Sequence, residues 1–148
     1  MTPSIEVIAR ALILKDGQAL LAHKKTAWNT FLPGGHVEYG ESAAVALSRE
    51  LEEELGVAVR VARFLGAVEH AWDDADSRGH EVNLVFAVDA PSLSPAVIAP
   101  SREAHLEFLW QPLTALAARR LEPAVLCEVL PHWAARGYGE GWASTMAR

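Results

Sequence analysis

The sequence predicts an α/β fold in a single domain, on three observations. An Asp16-Gly17 pair separates two apolar stretches near the start, the hydrophobic period turns helical between Ser42 and Leu55, and β-rich runs resume from Val57. At 148 residues and 51% hydrophobic, the chain has the length of one domain, 1–148, and enough apolar material for its own core.

Ile5 to Leu14 and Ala19 to His23 flank Lys15-Asp16-Gly17-Gln18, where both turn residues tolerate positive φ, so an antiparallel hairpin is expected. Thr30 to Leu32 reads as a short strand stopped by Pro33-Gly34-Gly35, with His36 to Glu38 a further extended piece. Ala44, Leu47, Ser48, Leu51 and Leu55 then recur every three or four residues, which draws one helical stripe. Ser42 is placed to cap that helix and Gly56 to end it in a left-handed conformation.

Val57 to Trp72 and Glu81 to Val88 form a second hairpin around the polar segment 73–79. Pro91 to Pro100 reads as a loop and Leu106 to Trp110 as a strand. Leu113 to Arg119 and Ala124 to Arg136 read as helical, with Pro112, Pro123 and Pro131 at starts or kinks. The Gly-rich tail 138–148 is expected to be loosely held, with Trp142 free to dock on the body or on a second copy in a homodimer.

A formal charge of −6 excludes a broad nucleic-acid polymer surface, which needs a basic stripe, but not a small phosphorylated ligand met by a metal ion and a few local cations. The single Cys127 lies in an apolar stretch and reads as a packed thiol rather than a nucleophile. Glu6 and Arg10 interrupt the first apolar stretch, and no apolar run approaches the ~20 residues of a membrane span. A cytoplasmic protein without a membrane partner is therefore expected.

The chemistry is concentrated in 35–57: Gly35, five residues, Glu41, seven residues, Arg49-Glu50-Leu51, one residue, Glu53-Glu54, one residue, Gly56-Val57. On a helix, Glu50, Glu53 and Glu54 point into one sector about 100° wide, while Glu52 faces roughly 160° away and reads as a solvated charge. Like charges at such spacing cost about 0.2–0.5 kcal/mol per pair. A hard divalent cation, which prefers carboxylate oxygens, waters and phosphates, removes that conflict. Arg49 precedes Glu53 by four residues and can also reach Glu41, joining loop to helix. The bare Gly34-Gly35 turn lets a backbone carbonyl approach a metal.

This stretch resembles the signature of the Nudix hydrolase family at every fixed position, and Leu32 to Glu38 resembles the family's usual lead-in. The resemblance covers most of the chain and leans towards compact, MutT-like members. It implies an α/β/α sandwich around a mixed β-sheet and hydrolysis of a nucleoside diphosphate-linked substrate by water attack on phosphorus, assisted by Mg²⁺ or Mn²⁺. Carried residue by residue, it implies Glu50 and Glu54 as metal ligands, joined by the Gly34 carbonyl, and Glu53 as a ligand or the general base. Arg49 and Glu41 would orient the cluster. Some members take the base from a later loop, for which Glu103 is the candidate here.

Beside these stand plainer readings. Arg10 is either an edge-strand charge or a phosphate contact, and Trp28 and Phe31 either stack on a base or pack the core. His70 and His80 need no role as surface histidines, and Asp73, Asp74 and Asp76 lack the Gly and terminal Glu of a calcium loop. A binding or regulatory module of the same fold is the alternative function, and the intact Glu50, Glu53 and Glu54 favour catalysis over it. Between Ala58 and Ala90 there is neither Pro nor Tyr, so the markers that often accompany ADP-ribose or diadenosine polyphosphate specificity are missing. The reading therefore leans to nucleoside and deoxynucleoside triphosphates.

Overall fold

Strand and helix positions in the computed structural model, which describes residues 2–135 and 141–146, follow from the turn chemistry. Asp16 and Gly17 have φ of 52° and 73°, the left-handed pair required by a two-residue hairpin, and Leu14–Lys15 (β2) and Gln18–Lys24 (β3) flank them. The first apolar stretch does not continue as one strand, as the sequence reading expects. Glu6–Leu12 (β1) ends one residue before β2, and the two enter different sheets.

Gly34–His36 (β4) pairs antiparallel with β1, two residues earlier than the extended piece expected at 36–38. The predicted strand at 30–32 is reduced to isolated bridges, Phe31 to Ala22 and Thr30 to Leu121. Helix α1 spans Ala43–Leu55; Ser42 Oγ accepts the Val45 N–H, and Gly56 at φ 68° returns its N–H to the Glu52 carbonyl. Such a cap is worth about 1 kcal/mol. Arg60–Asp73 (β5) and Arg78–Asp89 (β6) make the long hairpin, and Leu106–Pro112 (β7) completes the second sheet. Leu113–Arg119 is a 3₁₀ helix rather than an α-helix, and α2 runs from Leu126 to Ala134. The expected end of that helix at Arg136 lies outside the described residues.

Five strands form a mixed sheet in the order β4-β1-β6-β5-β8, with β1 and β6 parallel, and three form a sheet in the order β2-β3-β7. β8, Trp142–Ser144, lies parallel to β5, with the Gly141 carbonyl accepting the Ala67 N–H at 2.8 Å. These three residues correct the expectation of a loose tail: an open edge of β5 supplies the hydrogen-bond partners. Positions 138–140, 147 and 148 of that tail lie outside the described residues.

Side-chain alternation assigns the layers. Ala9 and Ala11 of β1 face α1, packing with Leu47, Leu51 and Leu55, each at most 1% exposed. Leu12, Val85 and Val68 face the other way, onto Leu126, Leu130 and Trp133 of α2 and Leu116 of the 3₁₀ helix. A fully buried Leu contributes about 1.5–3 kcal/mol, so α1 is held mainly by that three-leucine stripe. This is an α/β/α arrangement around mixed sheets. Arg10, Asn83, Glu81 and His70 share the α2-side parity but lie beyond the reach of α2, and there the sheet face is bare.

Candidate active-site cleft

That bare face is the floor of a cleft of about 700 Å³. Register builds the floor: β1 pairs Ile8 with Asn83 and Arg10 with Val85, and β5 pairs His70 with Glu81. Ile8, Arg10, Glu81 and His70 consequently line the same opening, joined by Trp72 from further along β5. Trp28 stands at the rim, 65% exposed, and Phe31 lies beneath the Arg10 guanidinium at 5.4 Å. Phe31 also packs on the core cluster, as the core reading of this ring expects.

The acidic wall comes from α1, on the opposite face of the sheet, and enters past the edge strand β4. Two glycines make the passage. A Cβ on Gly35 would lie 2.3–2.6 Å from the Glu50 carboxylate, and one on Gly34, at φ 144°, would lie 2.0 Å from the Ala9 carbonyl oxygen. Ala11 N–H to Pro33 O and Val37 N–H to Val7 O fix the ladder so that the Gly34 and His36 polar groups point away from β1. The α1 side chains meet them: Glu54 lies near enough to the Gly34 N–H for it to lower the Glu54 pKa, and Arg49 donates to the His36 carbonyl at 3.2 Å. The same register turns the Gly34 carbonyl outward, as the metal reading of Gly34 requires.

Arg49 is the hub of the wall. It donates to both Glu41 oxygens, at 3.0 and 2.8 Å, to Glu50 at 3.1 Å and to Glu53 at 3.5 Å. The Arg49 hydrogen bonds, with the Glu38 N–H, hold the Glu41 carboxyl down to about 2, and the same pairing raises the Arg49 pKa. Glu50 and Glu54 line the cleft, while Glu53 is more than half exposed on the outer side and Glu52 is exposed. The structure thus brings Glu50, Glu54 and Gly34 together and attaches Glu53 through Arg49. Glu103 does not line the cleft. It sits in a loop tied to α1 by Arg102 N–H to the Glu54 carbonyl, near enough for its charge to act on Glu54.

Glu54 is the strained member. Burial first, then the Glu50 charge, pushes its pKa up to about 7 against the pull of Arg10 and the Gly34 N–H. Its Oε2 is shut off from solvent and has no hydrogen-bond partner among the described residues. An orphaned carboxylate oxygen beside a second carboxylate and an outward carbonyl fits a hard divalent cation, whose shell also takes waters and phosphates. Among the described residues no three His, Cys, Asp or Glu side chains close on one point by themselves.

Arg10 corrects one expectation. β1 lies between β4 and β6, so Arg10 is not an edge-strand charge. Its Nε donates to Asn83 Oδ1 at 3.2 Å and its Nη1 to the Leu32 carbonyl at 3.0 Å. Burial lowers its pKa, opposed by Glu81, Glu54 and Glu50. Glu81 and Asn83, 8% and 0% exposed, escaped the sequence reading although they are polar at alternate positions of the otherwise apolar run 81–88, which is the signal of one chemically distinct face. Cys127 packs beside the second core cluster, where burial raises its pKa, as its reading as an inert thiol requires.

A sequence model of the NUDIX domain matches residues 5–131. The chain is 39% identical over 88 residues to an ADP-ribose pyrophosphatase of Methanocaldococcus jannaschii, covering 56% of this chain and 50% of that one. It is 33% identical over 118 residues to an isopentenyl-diphosphate Delta-isomerase of Cereibacter sphaeroides, covering 74% and 66%. It is 36% identical over 91 residues to a CTP pyrophosphohydrolase of Escherichia coli, covering 51% and 65%. The chain therefore spans between half and two thirds of these relatives' lengths.

Proposed function

The chain belongs to the Nudix family, and from that premise we propose that it is a metal-dependent pyrophosphohydrolase that cleaves a nucleoside diphosphate-linked substrate by water attack on phosphorus. The observation that carries the proposal is the buried, unpartnered Glu54 Oε2 beside Glu50. In this reading Glu50, Glu54 and the Gly34 carbonyl hold the ion, and Glu53 completes the set from the solvent side as a ligand or as the base that takes the proton from water. Glu103 is the other candidate base. Mg²⁺ or Mn²⁺ would supply Lewis acidity to water and offset the charge that builds on the phosphoryl oxygens.

The remaining work belongs to side chains already in place. Arg49, locked by both oxygens of Glu41, fixes the Glu50 rotamer and ties Glu53 to the wall. Arg10 places positive charge under the point where phosphate enters, and Trp28 and Phe31 offer aromatic faces to a base. The intact carboxylates favour turnover over a purely regulatory role.

Nucleoside triphosphates are the favoured substrate class, supported by the likeness to a CTP pyrophosphohydrolase. A panel read by chromatography of the products tests this with nucleoside and deoxynucleoside triphosphates, oxidised dGTP, ADP-ribose, nucleotide sugars, NADH and isopentenyl diphosphate. Triphosphate turnover in Mg²⁺ with at least ~10-fold preference over ADP-ribose is expected, on the scale a pocket mismatch produces. Absence of turnover on every compound in both Mg²⁺ and Mn²⁺ would overturn the hydrolase reading.

A further inference from the structure

Glu81 is a buried carboxylate close to Arg10 but not paired with it. Its Oε1 accepts one hydrogen bond, from Asn83 Nδ2 at 3.1 Å, and no Lys, Arg or His nitrogen lies within 4.0 Å of it among the described residues. The hydrogen bonds of its two basic neighbours run elsewhere. Arg10 gives its bonds to Asn83 and the Leu32 carbonyl, and His70, directly across on β5, bonds Thr145 Oγ1 at 2.7 Å and stacks on Trp72 at 5.3 Å. Asn83 is itself saturated: its Oδ1 takes Arg10 Nε, and its Nδ2 serves Glu81 and, at 3.5 Å, the Val68 carbonyl.

Its other oxygen takes no hydrogen bond among the described residues and is not shut off from solvent, and Glu81 lines the cleft, so a donor held in the cleft can meet it. The donor cannot be a phosphate, which has none to give and carries like charge. Position points the same way. Glu81 lies four residues along β6 from Val85, the partner of Arg10, which at about 3.3 Å per residue is about 13 Å from the row beside the acidic wall. That is the reach of a nucleoside from its phosphates, and Trp72 stands just beyond on the same face.

We propose that Glu81 is a specificity-determining residue whose carboxylate accepts a hydrogen bond from a donor on the substrate's nucleoside, a sugar hydroxyl or a base amino group. The proposal rests on the nucleotide reading above. Asn83 fixes the carboxylate on one side and Arg10 on the other, so a single network couples the phosphate end of the floor to the nucleoside end. A substrate lacking the donor displaces water from this oxygen without replacing its hydrogen bond, which is a penalty specific to that substrate rather than a general loss of binding.

The test uses pairs differing by one donor: CTP against zebularine triphosphate and GTP against ITP for a base amino group, ATP against dATP for the sugar hydroxyl. Wild type and Glu81→Gln are compared in Mg²⁺ by kcat/KM and by calorimetric binding of the α,β-imido analogues. Wild type should favour the donor-bearing member of at least one pair by ~10-fold or more, and Glu81→Gln should compress that ratio at least ~5-fold while the donor-free member changes less than ~3-fold. The pair that responds identifies the group. Wild-type ratios all within about twofold, or a uniform loss across every pair in Glu81→Gln, would overturn the proposal, the latter marking Glu81 as structural. The wild-type ratios stand even if the variant does not fold. Binding ratios that persist without hydrolysis would refute the hydrolase reading and leave Glu81 intact.

Discussion

Two arginines serve the same cleft by opposite means. Arg49, on α1, is about a quarter exposed and meets carboxylates almost exclusively, at Glu41, Glu50 and Glu53. Arg10, on the sheet, is packed between Phe31, an amide oxygen and a backbone carbonyl, with carboxylates near but not paired. The first network is charge against charge near solvent, where a pair is worth about 0–1 kcal/mol. The second satisfies a buried charge with neutral acceptors, and removing it orphans them at about 1–3 kcal/mol each. The wall is therefore built for placement of carboxylates and the floor for stability.

The largest expected effect tests the wall alone. Glu54→Gln should lower turnover by at least ~10²-fold while Glu52→Gln, two residues away and solvent-facing, changes it less than about threefold, measured as kcat with Tm recorded in parallel. An equal loss at Glu52 would mean that the wall is not where the chemistry lies.

Crossing the two arginines sharpens the contrast. Arg10→Met should cost about 2 kcal/mol or more in denaturant unfolding, because Asn83 Oδ1 and the Leu32 carbonyl lose their donor. Arg49→Met should cost less than about 1 kcal/mol yet reduce kcat, since Glu50 and Glu41 lose their common clamp. The reverse order of stability would break the comparison.

The smallest effect lies outside the cleft, at His23. A hydrogen bond to Glu107 at 2.8 Å, then one to the Ala27 carbonyl, raises its pKa. A raised folded value means that the stabilisation is complete below the unfolded value near 6.5 and fades as pH rises through the folded one. The Tm difference between wild type and His23→Gln should accordingly shrink as pH is raised upward from about 6.5. A difference that grows with pH would reverse the sign of the linkage.

The wall was legible because its residues are close in sequence: a single helix with its cap at Ser42 and stop at Gly56 carries Arg49, Glu50 and Glu54 at a fixed phase. The exposure of Glu53 was not, since phase gives direction but not how far the edge of β4 shields each carboxylate. The floor was hidden for a different reason. Arg10, Glu81 and His70 converge only through the β1–β6–β5 register, and nothing local to β1 says that its hydrogen-bond neighbours are β4 and β6 rather than β3. The same non-local pairing split the first apolar stretch between two sheets and drew 142–144 onto β5. Trp28 at the rim and Phe31 under Arg10 show that one loop can serve cleft and core together.

The end of the five-stranded sheet carries a consequence of another kind. β4 is an edge strand, and its outward backbone groups would ordinarily be a template for a strand from another molecule. Here Glu54 lies against the Gly34 N–H and Arg49 donates to the His36 carbonyl, so side chains of the acidic wall cover part of the edge. A strand added along this border would have to displace the same groups that line the cleft, so removing the wall would also uncover an edge.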